Sequence, residues 1–166
     1  AQLDKFVFKL IVSFPSGQTL EEIIERTTKE EYPKVNKVAS GKILEEMKNI
    51  VREVPLASHV EEYAAKIINN SWPENAASPQ AVKELVSYGS SPRGLQGLIL
   101  TAKVTAILDG RFHVSYEDIN KVALNVLRHR IVLNLEGEAS SVKMEEIIMR
   151  ILEASSKDMV AVNVVA

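Results

Sequence analysis

The sequence predicts a mainly α-helical protein, a helical bundle with one β-strand near its N-terminus. Aliphatic residues recur at helical spacing in seven segments, four of which begin with a helix-capping pattern. The best strand candidate is residues 6–14, which are rich in the β-branched and aromatic residues typical of strands. Hydrophobic residues make up 46% of the 166 residues and aromatic residues only 5%, which favours aliphatic packing between helices around a substantial core.

The predicted strand covers residues 6–14 and ends at Pro15. One strand cannot form a sheet by itself, and the rest of the sequence offers almost no partner for it. We therefore interpret residues 1–15 as the remnant of a larger α/β domain, residues 16–155 as a helical domain, and residues 156–166 as a tail of unknown role. The chain is accordingly expected to be a piece of a longer protein.

Four predicted helices precede the central one. The first begins at the capping box of Thr19 and ends near Glu31, and the second covers residues 43–54. The third begins with a capping box at Ser58, and a short fourth covers residues 79–86. Apolar residues at spacings of three and four give the first three helices one inward face each.

The central helix is predicted over residues 92–109, and the others are expected to pack about it. Ser91 is a suitable N-cap, and Pro92 suits the first helical position because its missing N–H would be unpaired there. Gly110 is the residue expected just past the C-terminus. Leucine, isoleucine and valine cover most of the circumference, which predicts a helix buried on nearly all sides.

Arg93 lies in the first turn of this helix, where free N–H groups and the helix dipole make a cation slightly unfavourable. A bound anion would remove the conflict, because the helix terminus and the guanidinium would hold it together. Gly94, which has no side chain, would let a phosphate approach closely. The alternative is that Arg93 points into water or pairs with a carboxylate, and the local sequence leaves both open.

Two more helices are predicted after Gly110. Residues 112–114 form a short extended link, and Ser115 with Asp118 makes a capping box that opens the sixth helix. The last helix is predicted over residues 143–154.

Arg128 and Arg130 close the sixth helix. Cations are favoured at a helix C-terminus, so a structural role explains them, and the functional alternative is contact with a phosphate or an acidic partner. No metal site is expected, because the three histidines are far apart in the sequence and there is no cysteine. The sequence also contains no glycine-rich phosphate loop and no nucleophile set.

The charge distribution argues against a nucleic-acid-binding protein. The net charge is −2, and no segment is basic enough to form an electrostatic footprint for nucleic acid. No apolar run approaches the length of about 18 residues that a membrane span needs. We therefore expect a cytoplasmic protein with no membrane span.

An ordered set of short motifs resembles the C-terminal part of MoxR-type AAA+ ATPases. The order and spacing of the motifs hold from Ala1 to about Glu153. The motifs are Gln2-Leu3-Asp4-Lys5-Phe6 with the strand after it, Ser13-Phe14-Pro15-Ser16, Gly89-Ser90-Ser91-Pro92-Arg93, Leu108-Asp109-Gly110-Arg111, Val114-Ser115-Tyr116-Glu117-Asp118 and Val126-Leu127-Arg128-His129-Arg130.

The resemblance implies that residues 1–15 hold the last strand of the nucleotide-binding core and that residues 16–155 form the helical lid domain. Arg93 falls on the sensor-two arginine, which reaches the terminal phosphates of ATP in such enzymes, and Ser91 and Gly94 would share that site. Lys5 stands where the family usually has an arginine, at a position suited to an arginine finger. Lysine keeps the charge but lacks the planar fork that contacts phosphate oxygens.

The resemblance further implies a full-length parent that is a Mg²⁺-dependent ATPase, works as a hexameric homo-oligomeric ring and acts as a chaperone that remodels or matures other proteins. The lid would act with the parent's own N-terminal ATPase core, and family clients often carry von Willebrand A-type domains. The phosphate loop and the acidic Mg²⁺-binding motif do not occur in this sequence. The chain alone is therefore not expected to hydrolyse ATP or to bind ATP and Mg²⁺ tightly.

The alternative function is a helical module, histone-like or adaptor-like, that binds protein or DNA without nucleotide. A helix, a short link and a capped helix are the local pattern of such modules, and Arg111, Arg128 and Arg130 would then face DNA. The near-neutral charge argues against this alternative.

Overall fold

The computed structural model describes residues 2–29 and 34–162, with the side chains of the last helix described as far as Lys157. Leu3–Lys5 form a short 3₁₀ helix. The regular elements that follow are α1 (Gly17–Thr27), α2 (Gly41–Glu53), α3 (Ser58–Asn70), α4 (Gln80–Leu85), β1 (Val86–Tyr88), α5 (Pro92–Leu108), α6 (Tyr116–Leu127), β2 (Val132–Leu133), α7 (Leu135–Ala139) and α8 (Met144–Val162). The prediction of a mainly α-helical fold is confirmed.

The chain divides into two compact units. The larger unit comprises Ala1–Lys9 together with Ile50–Ala166, and the smaller comprises Leu10–Asn49. The N-terminal 3₁₀ helix therefore belongs to the same unit as α3–α8. The predicted domain boundaries after residues 15 and 155 stay predictions, although α8 continues unbroken across the second of them.

Helices α3, α5, α6 and α8 form the core of the larger unit. The largest fully buried side chains are aliphatic apart from one tyrosine, as the low aromatic content indicated. They are Tyr63, Ile67, Leu98, Ile119, Leu127, Ile147, Ile148, Ile151, Val54, Val60, Val82 and Val126. The Tyr63 hydroxyl is also satisfied, because it donates a 2.7 Å hydrogen bond to Asn120 Oδ1.

Helix α5 packs through one face, which small residues dominate. Its buried residues are Gly94, Gly97, Leu98, Thr101, Ala102 and Ala106. The larger aliphatic side chains at three other positions stay in part accessible, with exposures of 43% for Leu100, 40% for Val104 and 81% for Leu108. The prediction that this helix is buried on nearly all sides is therefore wrong. Small residues bring α5 close to α6, and that contact uses only one face of the helix.

The predicted strand at residues 6–14 is not formed. Residues 7–16 carry no regular secondary structure. Within the larger unit, Lys9 N donates a main-chain hydrogen bond to Asn125 O at 3.0 Å. A strand needs a ladder partner, and the two strands among the described residues pair with each other in antiparallel fashion. That small sheet of β1 and β2 was not predicted, because segments of two and three residues carry no periodic signal.

The predicted start of α5 and that of α6 are both confirmed. Ser91 caps α5, and Ser115 with Asp118 forms the capping box of α6. Two other starts differ from the prediction: Ser16 rather than Thr19 caps α1, and α3 already includes Ser58 as a helical residue. Helix α1 ends at Thr27, and its predicted end near Glu31 lies outside the described residues.

The smaller unit contains α1 and the first part of α2, and neither helix has a buried residue.

Among the described residues, no helix is both long enough and apolar enough to span a membrane. The same residues contain no group of three or more His, Cys, Asp or Glu side chains that is arranged to hold a metal ion.

Candidate functional site

The candidate site lies at the N-terminus of α5. Ser91 has extended backbone angles, and its hydroxyl accepts a hydrogen bond from the Arg93 main-chain N at 3.2 Å, which satisfies one of the free donors of the first turn. Pro92 occupies the first helical position, where no N–H is needed. The Arg93 side chain is 58% exposed, so its guanidinium is accessible to a ligand.

Asp4 of the 3₁₀ helix supplies a carboxylate to this helix terminus. The Ser91 hydroxyl donates to its two oxygens at 3.0 Å, Arg93 Nη1 lies 3.4 Å from Oδ2, and Arg130 Nε donates to Oδ1 at 3.2 Å. Burial by itself would raise the pKa of Asp4. The hydrogen bonds from Ser91 and Arg93 and the charges of both arginines outweigh burial and hold the pKa of Asp4 below its usual value.

Arg130 follows α6 and is almost completely buried, with 3% of its side chain exposed. Besides the Asp4 carboxylate, its guanidinium donates to the main-chain oxygens of Asp4 at 3.1 Å, Phe6 at 2.6 Å and Val7 at 3.1 Å, and to that of Val126. Burial lowers the pKa of Arg130, and the Asp4 carboxylate opposes that effect. This one side chain therefore ties the N-terminal segment to the end of α6.

Arg130 and Arg128 were both predicted to contact a partner or a phosphate. That contact stays a prediction, and in the structure both side chains have partners within the chain. All hydrogen-bonding nitrogens of Arg130 face acceptors of its own chain. Arg128 has only 9% of its side chain exposed, and its Nη2 lies 3.1 Å from Glu145 Oε1 on α8. His129 is engaged as well, with Nε2 2.9 Å from the Phe6 carbonyl oxygen, and burial lowers the pKa of His129.

Gly94 packs closely against its neighbours, and its predicted place in an ATP site stays a prediction. A Cβ atom at this position would lie 2.0 Å from Ser90 Oγ and 3.3 Å from Arg130 Cδ, so a side chain there would displace both neighbours. Gly97 plays a similar part against Val126 of α6, whose Cγ1 would lie 3.1 Å from its Cβ. The missing side chains make room for α6 and for Arg130.

Lys5 follows Asp4 in the 3₁₀ helix, and its side chain is exposed. Its role as an arginine-finger residue stays a prediction. Asp4 itself was not predicted as a site residue. It is the sole acidic residue among the first 20, which is the one signal in the sequence that could have paired it with a buried arginine.

A second charged cluster, formed by Arg111, Asp118 and Ser115, stabilises the start of α6. Arg111 contacts Asp118 through both terminal nitrogens, at 2.8 and 2.7 Å, and Asp118 also accepts from Ser115 N at 2.8 Å. The hydrogen bonds from Arg111, the largest influence, and from Ser115 hold the pKa of Asp118 well below its usual range against the opposing effect of burial. Arg111, like Arg128 and Arg130, is thus paired inside the molecule, which argues against the DNA-binding alternative.

The comparisons with known proteins place this geometry in a family. Residues 79–151, which contain Arg93 and Arg130, match the family model of the AAA lid domain. These residues therefore match an AAA lid domain, and the resemblance to the C-terminal part of MoxR-type AAA+ ATPases that the motifs indicated is confirmed.

The chain is also similar to two proteins of known sequence and one solved structure. The chaperone MoxR1 of Mycobacterium tuberculosis is 30% identical over 153 residues, which are 92% of this chain and 40% of the relative. The uncharacterised protein YeaC of Bacillus subtilis is 26% identical over 155 residues, 93% of this chain and 46% of the relative. A crystal structure of a candidate ATPase from Cytophaga hutchinsonii superposes with a TM-score of 0.82 at 28% identity, over 92% of this chain and 47% of that one. The chain thus spans less than half the length of each.

Proposed function

We propose that this chain is the lid of a MoxR-like AAA+ ATPase and that Arg93 is its sensor-two arginine, which binds the terminal phosphates of ATP. The observation that carries the proposal is the position of Arg93, in the first turn of α5 within the AAA lid domain and with 58% of its side chain exposed. Among the described residues, the Arg93 side chain makes one polar contact, the long one to Asp4.

The charges around Arg93 fit a phosphate group. Arg93 and Arg130 are two cations against the single carboxylate of Asp4, and the N-terminus of α5 adds partial positive charge. Only one of the guanidinium nitrogens of Arg93 contacts Asp4, so other N–H groups stay available for phosphate oxygens. We propose that the ligands of Mg²⁺ belong to the ATPase core of the parent protein.

When ATP is bound, its terminal phosphoanhydride supplies the chemistry, and the part of this chain is to bind and orient. We propose that the contact between Arg93 and the phosphates changes the position of the lid relative to the core, so that the nucleotide state is passed on as a rigid-body motion. The proposed parent is a hexameric cytoplasmic ring that remodels client proteins, among them proteins with von Willebrand A-type domains. Lys5 is proposed to act toward a neighbouring subunit.

The test is steady-state ATP hydrolysis by the full-length protein that contains this chain. We expect Arg93→Ala to lower kcat/KM for ATP by about 10²-fold or more, in the range seen when a group that stabilises developing charge is removed. Arg150→Ala is the matched control, because Arg150 is an exposed arginine of α8 in the same unit, and its activity should equal that of the wild type. Unchanged turnover in Arg93→Ala would refute the assignment.

A further inference from the structure

We infer that Asp4 is a positioning residue for Arg93, an inference that rests on the proposed role of Arg93 at the phosphates of ATP. Its carboxylate touches one edge of the Arg93 guanidinium and thereby fixes the direction in which the remaining N–H groups point. Asp4 lies 89 residues away in the sequence, so this contact joins the N-terminal 3₁₀ helix to the first turn of α5.

The position of the Asp4 carboxylate is set without any help from Arg93. Arg130 holds Asp4 at two points, through Nε to the carboxylate at 3.2 Å and through Nη2 to the main-chain oxygen at 3.1 Å. The Ser91 hydroxyl bridges both carboxylate oxygens at 3.0 Å. Because Arg130 is 97% buried, these contacts are shielded from water, and Asp4 forms a rigid support.

Asp4 contacts Arg93 through one long interaction, not through a paired, two-point ion pair. A single nitrogen, Nη1, lies 3.4 Å from Oδ2, which is long for a charge-assisted hydrogen bond, and the side chain remains 58% exposed. A free arginine side chain loses considerable rotamer entropy when it is ordered on a ligand. A carboxylate that already restricts one edge lowers that cost and leaves the other edge open to an anion.

The experiment is a double-mutant cycle on ATP hydrolysis by the full-length protein, with the single variants Asp4→Asn and Arg93→Ala and the double variant. We expect Asp4→Asn to lower kcat/KM by about tenfold, since a small misplacement of a binding group costs one to two orders of magnitude. The double variant should be no slower than Arg93→Ala alone, because Asp4 has nothing left to position. Asp109→Asn is the matched control, because Asp109 is 43% exposed and pairs with Arg111 and Lys121. It should leave the rate unchanged both in the wild type and in the Arg93→Ala variant.

Each result has one meaning. A tenfold loss that disappears in the Arg93→Ala background supports the inference, whereas a loss that multiplies with that of Arg93→Ala shows a merely structural effect of Asp4 and overturns it. An unchanged rate in Asp4→Asn with a strong loss in Arg93→Ala overturns the positioning role and leaves the proposed function standing. An unchanged rate in Arg93→Ala overturns both.

A loss of folding in Asp4→Asn is recognised by circular dichroism, and Asp4→Glu then carries the same cycle. That variant keeps the negative charge that the buried Arg130 requires but moves the carboxylate by one methylene group. A loss in Asp4→Glu that disappears in the Arg93→Ala background supports the inference. A wild-type rate, or a loss that multiplies, overturns it.

Discussion

Removal of the Arg130 guanidinium should strongly destabilise the larger unit. Arg130→Met keeps much of the apolar length of the side chain and removes every donor. The substitution abolishes the ion pair with Asp4 and the bonds to four main-chain oxygens, those of Asp4, Phe6, Val7 and Val126. The N-terminal segment then keeps few contacts with α6.

The expected loss in the free energy of unfolding depends on which hydrogen bonds the acceptors of Arg130 keep after the substitution. Breaking a buried ion pair by removing one partner costs about 3–5 kcal/mol of the free energy of unfolding. The low end applies here, because Asp4 is 21% exposed and keeps its contacts to Ser91 and Arg93, and because the Phe6 oxygen keeps that to His129. We therefore expect a loss of about 3 kcal/mol, or a decrease in melting temperature of about 6–12 °C for a chain of this size.

The measurement is equilibrium unfolding in urea, followed by far-ultraviolet circular dichroism, with the same variants also examined in thermal scans. Arg150→Met is the control, since it removes an exposed arginine of α8 and should change the free energy of unfolding by less than about 0.5 kcal/mol. A decrease of less than about 1 kcal/mol in Arg130→Met would refute the view that this side chain fastens the N-terminal segment.

Two further substitutions test the packing of α5 and the start of α6. Gly94→Ala should lower the free energy of unfolding in urea by about 2 kcal/mol, because its Cβ would lie 2.0 Å from Ser90 Oγ. Ser90→Ala, added to Gly94→Ala, should restore part of that loss. Gly17→Ala is the neutral control, because the structure leaves open space around Gly17. Asp118→Asn should cost about 2 kcal/mol because it breaks the paired contact with Arg111. Because folding lowers the pKa of Asp118, the ionised side chain stabilises the fold above its unfolded pKa of about 4, and this stabilisation is lost as the pH falls below that value. The free energy of unfolding should therefore fall less steeply between pH 5 and 2 in Asp118→Asn than in the wild type.

Local sequence patterns were sufficient to predict the helices on which the site stands. The starts of α5 and α6 agree with their caps at Ser91 and Ser115, because a cap is a contact between residues two or three positions apart. Gly110 follows α5 with a φ of 74°, a conformation that glycine adopts without strain. The predicted strand at residues 6–14 failed because β-propensity does not supply a neighbouring strand.

The partners of the charged side chains could not be predicted in the same way. The helix dipole favours a cation at the end of α6 whether its side chain is buried or exposed. The sequence therefore does not distinguish Arg130 from an ordinary surface arginine. Its burial depends on Asp4, which is 126 residues distant. Gly94 is a second example. A missing side chain suggests room for a ligand, whereas in the structure Ser90 and Arg130 lie next to the position that a Cβ atom would take.

The electrostatic conflict at Arg93 is resolved only in part by the chain itself. The sequence left open whether a cation in the first turn of α5 pairs with an outside anion or with a carboxylate, and the structure supplies Asp4 at 3.4 Å. One carboxylate shared by Arg93 and Arg130 cannot neutralise both guanidinium groups, and Arg130 holds it at the shorter distance of 3.2 Å. Because Arg130 is buried and Arg93 is exposed, the unbalanced positive charge faces outward, beside the positive end of α5. Under the proposed function of Arg93, an anion with several oxygens would complete the charge balance at that surface. Asp4 and a phosphate would then be complementary partners of Arg93 rather than competitors.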